Sequence, residues 1–272
     1  MHQIPHQTAD GTGLLPPAGH RPARGVVELW LLRPDAAQLA AAERLLPLLD
    51  AEERARIDRC GDDERRASLL ASHVSLRLLL GAYLGQAPDQ VRVERAPCRG
   101  CGRPHGRPVV GAEPGLHFSL SHTNGMALLA FASTPVGVDV ESLASVPGTE
   151  LVPLLHPAEQ RAIRALPPED QERAFLHCFV RKEAYLKGTG DGLWAELDSF
   201  CVGFGGHGPS TLEPSALEPW AFAQVATEPT HGAAVALLMS GAVRPRMRRR
   251  DVQLPDWAMF VTHQENKPTS NA

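Results

Sequence analysis

Two long helical segments, each followed by several short strands, constrain the fold of this chain most. The first runs from Asp62 to Gly85 and carries leucines at helical spacing on one face, with a glycine suited to ending a helix. The second runs from Glu169 to Lys187 and is also followed by glycines. The chain therefore divides into two halves with the same order of elements, residues 25–134 and residues 135–242.

Shorter elements surround these two helices. The pattern predicts helices over Asp35–Leu49, over a segment capped by Asp50 that ends at Arg59, and over Pro157–Leu166. It predicts strands over Val26–Leu32, Val91–Glu94, Leu116–Leu120, Met126–Ala132, Val136–Glu141, Phe200–Phe204, Ala221–Ala226 and Ala233–Met239. Residues 121–125 are predicted to form a polar turn between two of these strands.

The two ends of the chain differ in composition from the rest. Residues 1–24 are rich in proline, glycine and histidine and show no periodicity, which predicts a disordered extension. Residues 243–272 begin with a cluster of arginines and continue with polar residues, which predicts a flexible tail. The first ten residues lack the basic and apolar regions of a secretory signal.

The net charge, the apolar runs and the cysteine content exclude several classes of protein. With a formal net charge of -4, the chain lacks the basic excess that is typical of nucleic-acid binders. No apolar run approaches the ~20 residues that a membrane span needs. The five cysteines are an odd number spread along the chain, so a disulfide framework is not expected. We therefore expect a protein of the reducing cytoplasm.

Asp139 and Glu141 are the first candidates for chemistry. The strand period of two places the valines of Val136–Glu141 on one face and these two carboxylates on the other. Two carboxylates, together with phosphate oxygens and water, are a usual arrangement around Mg²⁺. A strand with a polar outer face explains the same pattern without any metal.

Two further pairs of residues are candidates for contact with a ligand. Glu183 and Lys187 share a face of the second long helix. They form either an exposed ion pair or a third metal-binding carboxylate with an ammonium group beside a transferring phosphate. Ser121 and His122 directly follow a predicted strand, which suits contact with a ligand, although local backbone bonds also explain the histidine.

Cys98, Cys101 and His105 form another cluster of reactive side chains. A Cys-x-x-Cys pair with a nearby histidine suggests a zinc site. The sequence contains no second Cys-x-x-Cys pair that would complete a zinc ribbon. A structural zinc site, a reactive dithiol and a plain turn-rich loop are all compatible with this segment.

Taken together, these motifs resemble those of the Sfp-type 4'-phosphopantetheinyl transferase superfamily. The family's Gly-x-Asp-x-Glu and Lys-Glu-(Ala/Ser)-x-x-Lys signatures are matched by Gly137–Glu141 and Lys182–Lys187. Lesser similarities, in the same order as in the family, lie at Gly106–Pro108, Ser121–His122, Gly192–Leu193 and Leu197–Phe200. The resemblance covers residues 26–239.

This resemblance implies an α+β fold with pseudo-twofold symmetry. Two similar subdomains would each have a small, mostly antiparallel sheet packed on a long helix, with coenzyme A in the cleft between them. The implied reaction transfers the phosphopantetheine arm of coenzyme A to a serine of an apo acyl or peptidyl carrier protein and releases adenosine 3',5'-bisphosphate. A monomer is expected, because the two halves already form the cleft.

The resemblance also implies roles for individual residues. Asp139, Glu141 and Glu183 would hold Mg²⁺ against the pyrophosphate, and Glu183 would take the proton from the carrier serine. Lys187 would stabilise or protonate the leaving phosphate. Contacts with coenzyme A are expected from Arg56, Arg107, Ser121, His122 and Lys187. Relatives often carry a basic residue at the position of Glu53, close to Arg56, and Arg65 or Arg66 would compensate for its absence here.

Two other functions are compatible with the same residues. A Mg²⁺-dependent phosphohydrolase would use the three carboxylates equally well and would release free phosphopantetheine. A non-catalytic module that binds coenzyme A or a carrier protein would tolerate Glu183→Gln. A zinc-containing nucleic-acid module built on Cys98 and Cys101 is disfavoured by the acidic net charge.

Overall fold

The computed structural model describes most of the chain between residues 15 and 255. The described ranges are 15–98, 101–111, 115–146, 148–192, 196–203, 213–214, 217, 219–239 and 245–255. The strands are β1 (Val26–Leu32), β2 (Val93–Arg95), β3 (Pro108–Val110), β4 (His117–Thr123), β5 (Met126–Ala132), β6 (Val136–Ser142), β7 (Glu213–Pro214), β8 (Trp220–Gln224), β9 (His231–Leu238) and β10 (Arg246–Asp251). The helices are α1 (Ala36–Arg44), α2 (Ala51–Asp58), α3 (Asp63–Leu84), α4 (Pro157–Arg164) and α5 (Pro168–Thr189).

The predicted helices are present, and the sequence indicates where they begin. Asp35 and Asp50 cap α1 and α2 by accepting hydrogen bonds from backbone N–H groups of the first turn, as predicted. Both long helices, α3 and α5, have 22 residues. Gly85 ends α3 with a φ of 67°, a left-handed conformation that glycine adopts without strain. The first helix is shorter than predicted, because a 3₁₀ turn over Leu46–Leu48 follows it.

Two four-stranded sheets pack face to face between the two long helices. The first has the strand order β10-β1-β5-β4 and the second has the order β6-β9-β8-β7. The three valines of β6 belong to the apolar layer between the sheets, together with side chains of β1 and β5. Residues of α3 cover the outer face of the first sheet, and residues of α5 cover that of the second. The mixed α+β content expected from the resemblance is therefore confirmed.

The arginine-rich segment near the C-terminus differs from its prediction. The sequence predicts a flexible tail from residue 243, but Arg246–Asp251 forms β10 and pairs in parallel with β1. The guanidinium of Arg250 lies 5.2 Å from the centre of the Trp30 ring, and Val252 and Leu254 are buried. The tail prediction is wrong for these residues, because backbone pairing at the sheet edge needs no apolar alternation in the added strand. Residues 256–272 lie outside the described part of the chain.

Two other segments differ from the sequence-based expectation. The predicted N-terminal extension is ordered from residue 15 onward, since Gly19 N donates to Ala82 O at 2.8 Å and His20 Nε2 lies 2.9 Å from a Glu28 oxygen. Residues 1–14 lie outside the described part. Residues 200–203 of the predicted strand Phe200–Phe204 are not in a strand, and Phe204 is not described.

Helix α3 is long and apolar enough, by length and composition alone, to cross a membrane. Within the fold, 83% of its apolar window is buried inside the protein. It packs against α1 and the first sheet as part of one core. This burial is typical of the central helix of a soluble protein.

Candidate active site

Close packing between β6 and α5 brings the two main sequence motifs together. A Cβ atom added at Gly137 would overlap the carbonyl oxygen of Ala184 and would lie 2.9 Å from Gly188 Cα. A Cβ atom added at Gly188 would lie 2.8 Å from the Trp220 ring. Glycine is therefore required at both positions by contact rather than by backbone angle, and the close approach sets the carboxylates of β6 against the polar face of α5.

Asp139 lies at the centre of a buried polar cluster. It is 1% exposed, and its Oδ1 accepts hydrogen bonds from Ser121 Oγ at 2.8 Å and from Lys187 Nζ at 2.6 Å. Lys187 Nζ also lies 2.8 Å from Ser121 Oγ. Asp139 Oδ2 is buried and has no hydrogen-bond partner among the described residues. A buried carboxylate oxygen without a partner is costly, so this atom is suited to a cation or an ordered water.

Glu141 and Glu183 lie beside this cluster and share its electrostatics. Burial, and then the negative charge of Asp139, raise the pKa of Glu141 to about 7. The same two causes raise the pKa of Glu183. The Lys187 ammonium opposes both shifts without cancelling them. The three acidic groups therefore repel one another, and a divalent cation would relieve this repulsion.

The three carboxylates are less close together than ligands of a bound ion. Among the described residues, Cys98, Cys101 and His105 form a group whose metal-ligating atoms all lie within 4.8 Å of one another, and the three carboxylates do not. Asp139 is instead paired with Lys187. The residue types fit a hard cation such as Mg²⁺, which prefers carboxylate oxygens. The observed side-chain positions correspond to a site in which Lys187 neutralises Asp139.

A cavity of about 780 Å³ opens above this cluster, between the two halves of the chain. Seven of the eight predicted site residues line it, namely Arg56, Arg107, Ser121, His122, Glu141, Glu183 and Lys187. Asp139 is not among the lining residues, because it is buried beneath Ser121 and Lys187. The structure therefore brings all eight predicted residues to one place, with Asp139 below the cavity surface. This volume suits a ligand of the size that cofactor pockets accept.

His122 lines the cavity and is influenced by several positively charged side chains. It is part of β4, together with Ser121, so the prediction that both lie in a turn after the strand is wrong. Burial, and then the charges of His73 and Lys187, lower its pKa to about 4. Further positive charge comes from Arg56 and Arg65. A neutral histidine surrounded by cations marks a place where an anion would be favoured.

Arg107 is held at the cavity wall by the loop before β3. Its Nη2 lies 3.4 Å from His117 Nδ1, and burial together with this guanidinium lowers the pKa of His117 to about 4. Gly106 permits the local bend, since an added Cβ would lie 2.6 Å from Ala96 O. On the other side, the Arg107 side chain lies against Gly190 at the end of α5. The Gly106–Pro108 motif therefore positions one arginine beside the second half of the chain.

Glu53 has a structural role that its sequence position does not reveal. Its carboxylate lies 3.2 Å from His73 Nδ1 and accepts from Arg77 Nε at 2.9 Å. Both partners belong to α3, so the pair joins α2 to the core. Arg66 is engaged with Glu43 at 2.6 Å, whereas the charge of Arg65 acts on the cavity histidine. Arg65 is therefore the better candidate to compensate for the acidic residue.

Several residues around the site were not predicted from the sequence. His73 and Asp191 line the cavity, and a lone histidine within an apolar helix was the available signal for the first. Lys182, the first lysine of the second motif, is fully buried and forms an ion pair with Glu159 at 2.8 Å. Its Nζ also donates to Leu197 O at 2.8 Å. Lys182 therefore holds α5 against α4 and the following loop and is absent from the cavity lining.

Comparison with known proteins identifies the family of this chain. Residues 135–238 match the family described as the 4'-phosphopantetheinyl transferase superfamily. The 4'-phosphopantetheinyl transferase HetI of Nostoc sp. is 32% identical over 219 residues, which cover 78% of this chain and 87% of the relative. The 4'-phosphopantetheinyl transferase Sfp of Bacillus subtilis is 25% identical over 171 residues, which cover 63% of this chain and 73% of the relative. The resemblance predicted from the motifs is thus confirmed, and the chain belongs to the 4'-phosphopantetheinyl transferase superfamily.

Proposed function

We propose that this protein transfers the 4'-phosphopantetheine arm of coenzyme A to a serine of an apo acyl or peptidyl carrier protein. Adenosine 3',5'-bisphosphate is the second product. The observation that carries the proposal is the contact of buried Asp139 with Ser121 and Lys187, which line the same cavity as Glu141 and Glu183. It joins acidic, basic and hydroxyl groups from both halves of the chain at one end of a ligand-sized cavity.

Asp139, Glu141 and Glu183 are proposed to hold Mg²⁺. The partnerless Oδ2 of Asp139 and the raised pKa values of the two glutamates support this assignment, because each favours an added positive charge. When bound, Mg²⁺ supplies neutralisation of the charge on the pyrophosphate oxygens. Lys187 is the positively charged group that lies next to Asp139, with its Nζ 2.6 Å from Asp139 Oδ1.

Glu183 is the proposed general base. A raised pKa brings a carboxylate closer to the pH at which it accepts a proton efficiently. The carrier serine oxygen would attack the phosphorus that bears the pantetheine arm while its proton passes to Glu183. The bond to the departing adenosine bisphosphate then breaks, and Lys187 offsets or protonates the oxygen on which charge develops. Atoms and charge balance without any further reactant.

The remaining positive groups of the cavity are proposed to bind coenzyme A. Arg56 and Arg107 line the cavity, as do Ser121 and His122 of β4. Guanidinium groups suit phosphate because their planar donors match its oxygens. Binding of phosphate would also raise the pKa of His122 and so convert a neutral side chain into a further cation.

The arrangement of the fold supports several wider proposals. Each four-stranded sheet is covered by one long helix, and residues of both halves line the cavity. We propose on this basis that the two halves are related by pseudo-twofold symmetry. Because a single chain provides both walls, we propose that the protein acts as a monomer. We also propose a cytoplasmic enzyme whose partners are carrier proteins and coenzyme A, rather than nucleic acid or a membrane.

Intact-protein mass spectrometry tests the proposed reaction. An apo carrier protein incubated with this protein, coenzyme A and Mg²⁺ should gain about 340 Da, the mass of one arm added by phosphoryl transfer. Glu183→Gln should lower the rate by at least ~100-fold, the scale of general-base loss. Glu172→Gln, an exposed change on the same helix, is the matched control and should leave the rate unchanged.

Other outcomes of this experiment point to other functions. Release of free phosphopantetheine without a gain of mass on the carrier would indicate a phosphohydrolase. Coenzyme A binding without transfer to fatty-acid, polyketide or peptide carriers would indicate a binding module. Unchanged transfer in Asp139→Ala, Glu141→Ala and Glu183→Ala would contradict the assignment of the site.

A further inference from the structure

The loop between β2 and β3 gathers two thiols and an imidazole at one point. Cys98, Cys101 and His105 each offer one ligand atom, and these three atoms all lie within 4.8 Å of one another. Cys101 Sγ lies 2.9 Å from His105 Nε2. None of the described cysteines is joined in a disulfide. This cluster is separate from the carboxylates of the proposed catalytic site.

The backbone of the loop is folded so that these side chains converge. Cys98 N donates to Arg103 O at 2.7 Å, and Gly102 N donates to Cys98 O at 2.8 Å. Gly102 has a φ of 72°, which only glycine adopts readily. His105 N donates to Arg103 O at 2.8 Å, which turns the histidine back toward the cysteines. Because Cys98 N and His105 N donate to the same carbonyl, main-chain bonds hold the first and last residues of the cluster close together.

We propose that Cys98, Cys101 and His105 bind one Zn²⁺ ion. Thiolate and imidazole ligands are those that zinc prefers, whereas Mg²⁺ and Ca²⁺ prefer oxygen. The two thiolates balance the double positive charge of the ion, and the neutral imidazole adds a third ligand. Binding releases the two thiol protons. Cys98 is buried, whereas Cys101 and His105 are exposed, so water has access to the fourth coordination position.

The position of His105 favours metal binding over a dithiol role for this Cys-x-x-Cys pair. A disulfide would need only the two cysteines and an external oxidant. The imidazole beside Cys101 adds the third ligand that a zinc site requires and that a dithiol does not. Among the zinc site, the reactive dithiol and the plain loop that the sequence left open, the position of His105 favours the zinc site.

This site would brace one wall of the main cavity. Cys98 and His105 line the cavity, as do the next two residues, Gly106 and Arg107. The loop closes through Gly106 N to Ala96 O at 2.8 Å and Ala96 N to Arg107 O at 3.0 Å. An ion that joins Cys98 to His105 therefore restrains the short segment that leads to Arg107. This role goes beyond the proposed transfer reaction, since none of the three ligands takes part in it.

Metal analysis of the purified full chain tests the proposal without substrate. We expect one equivalent of zinc, and replacement by Co²⁺ should produce the thiolate-to-metal charge-transfer absorption of a cysteine-bound ion. Cys101→Ser and His105→Ala should each weaken zinc binding by ~100-fold or more, since each removes one of three protein ligands. Cys60→Ser changes a cysteine outside the cluster and is the matched control.

Several results would overturn the zinc site. One is that the protein, prepared with reductant and supplied with Zn²⁺, retains no metal. Another is that the Co²⁺ derivative shows no charge-transfer absorption. A third is that wild type and Cys101→Ser bind zinc equally well. A Cys98–Cys101 disulfide that persists in reductant would also overturn it. Because zinc content is measured without coenzyme A or a carrier, failure here is distinct from failure of the proposed transferase activity. Circular dichroism of both variants checks that the fold is retained.

Discussion

Replacement of the buried lysine of the second motif should destabilise the protein without acting on the chemistry. Lys182 is fully buried, and its ammonium is paired with Glu159, which is 1% exposed. In Lys182→Met, the Glu159 carboxylate keeps its backbone bonds from Val202 N at 2.7 Å and His156 N at 3.2 Å but loses its counter-charge. Removal of one partner of a buried ion pair costs about 3–5 kcal/mol, because the other charge is left uncompensated.

Chemical denaturation measures this loss directly. The free energy of unfolding of Lys182→Met should fall by about 3–5 kcal/mol, which corresponds to a decrease in Tm of roughly 6–20 °C for a chain of this size. The double variant Lys182→Met/Glu159→Gln removes both charges and should recover a large part of the loss. Arg66→Met, which breaks a more exposed pair with Glu43, is the control and should cost less than about 1 kcal/mol.

The same variants separate structure from catalysis. Lys182 does not line the cavity, so the folded double variant should retain carrier modification at a rate close to that of the wild type. A loss below about 1 kcal/mol in Lys182→Met would refute the reasoning on burial. Failure of the double variant to recover stability would refute the ion-pair argument. A stable double variant without activity would place Lys182 in the reaction.

Gly137, Glu53 and His122 provide further tests in other parts of the structure. Gly137→Ala should destabilise the fold by about 3 kcal/mol or more in a denaturant titration, because the new Cβ meets Ala184 O, whereas Gly61→Ala has open space and should be neutral. Although burial raises the pKa of Glu53, its bonds with His73 and Arg77 dominate and lower that pKa from 4.5 to about 2. About 2–3 kcal/mol of stability, fully present above pH 4.5, should therefore be lost as the pH falls through 2, and Glu53→Gln should flatten this dependence. In NMR titrations the pKa of His122 should be near 4 in the free protein and should rise with adenosine 3',5'-bisphosphate, whereas a free value of 6.5 would contradict the described environment.

Local sequence patterns predicted most of the regular structure. The strands Val26–Leu32 and Met126–Ala132 were predicted with the bounds that the structure has. Both long helices were predicted to within a few residues at their ends, because caps and apolar periodicity are local signals. The strand β10 was not predicted, since it consists largely of arginines and depends on the free edge of β1. Edge pairing joins residues far apart in sequence, and no local pattern reports it.

In the candidate site, too, residue types were predictable from local sequence whereas their arrangement was not. The two motifs and the period of two in β6 indicated the acidic residues and Lys187. Their arrangement was not predictable, since the strand pattern placed Asp139 on a polar face whereas β4 and α5 bury it. The pairing of Lys187 with Asp139, rather than with its helical neighbour Glu183, also depends on how closely β6 approaches α5.

The sequence by itself determined the family and indicated the candidate site residues, because these depend on residue type and spacing. Only the tertiary structure decided which groups are buried, which cations face the cavity and which of the two motif lysines holds the fold together. These outcomes depend on packing between distant segments, and burial and neighbouring charge then set the pKa values of Glu141 and His122. The cluster of Cys98, Cys101 and His105 depends on both: the spacing suggested a group of metal-ligating residues, and the folded loop brings their ligand atoms together.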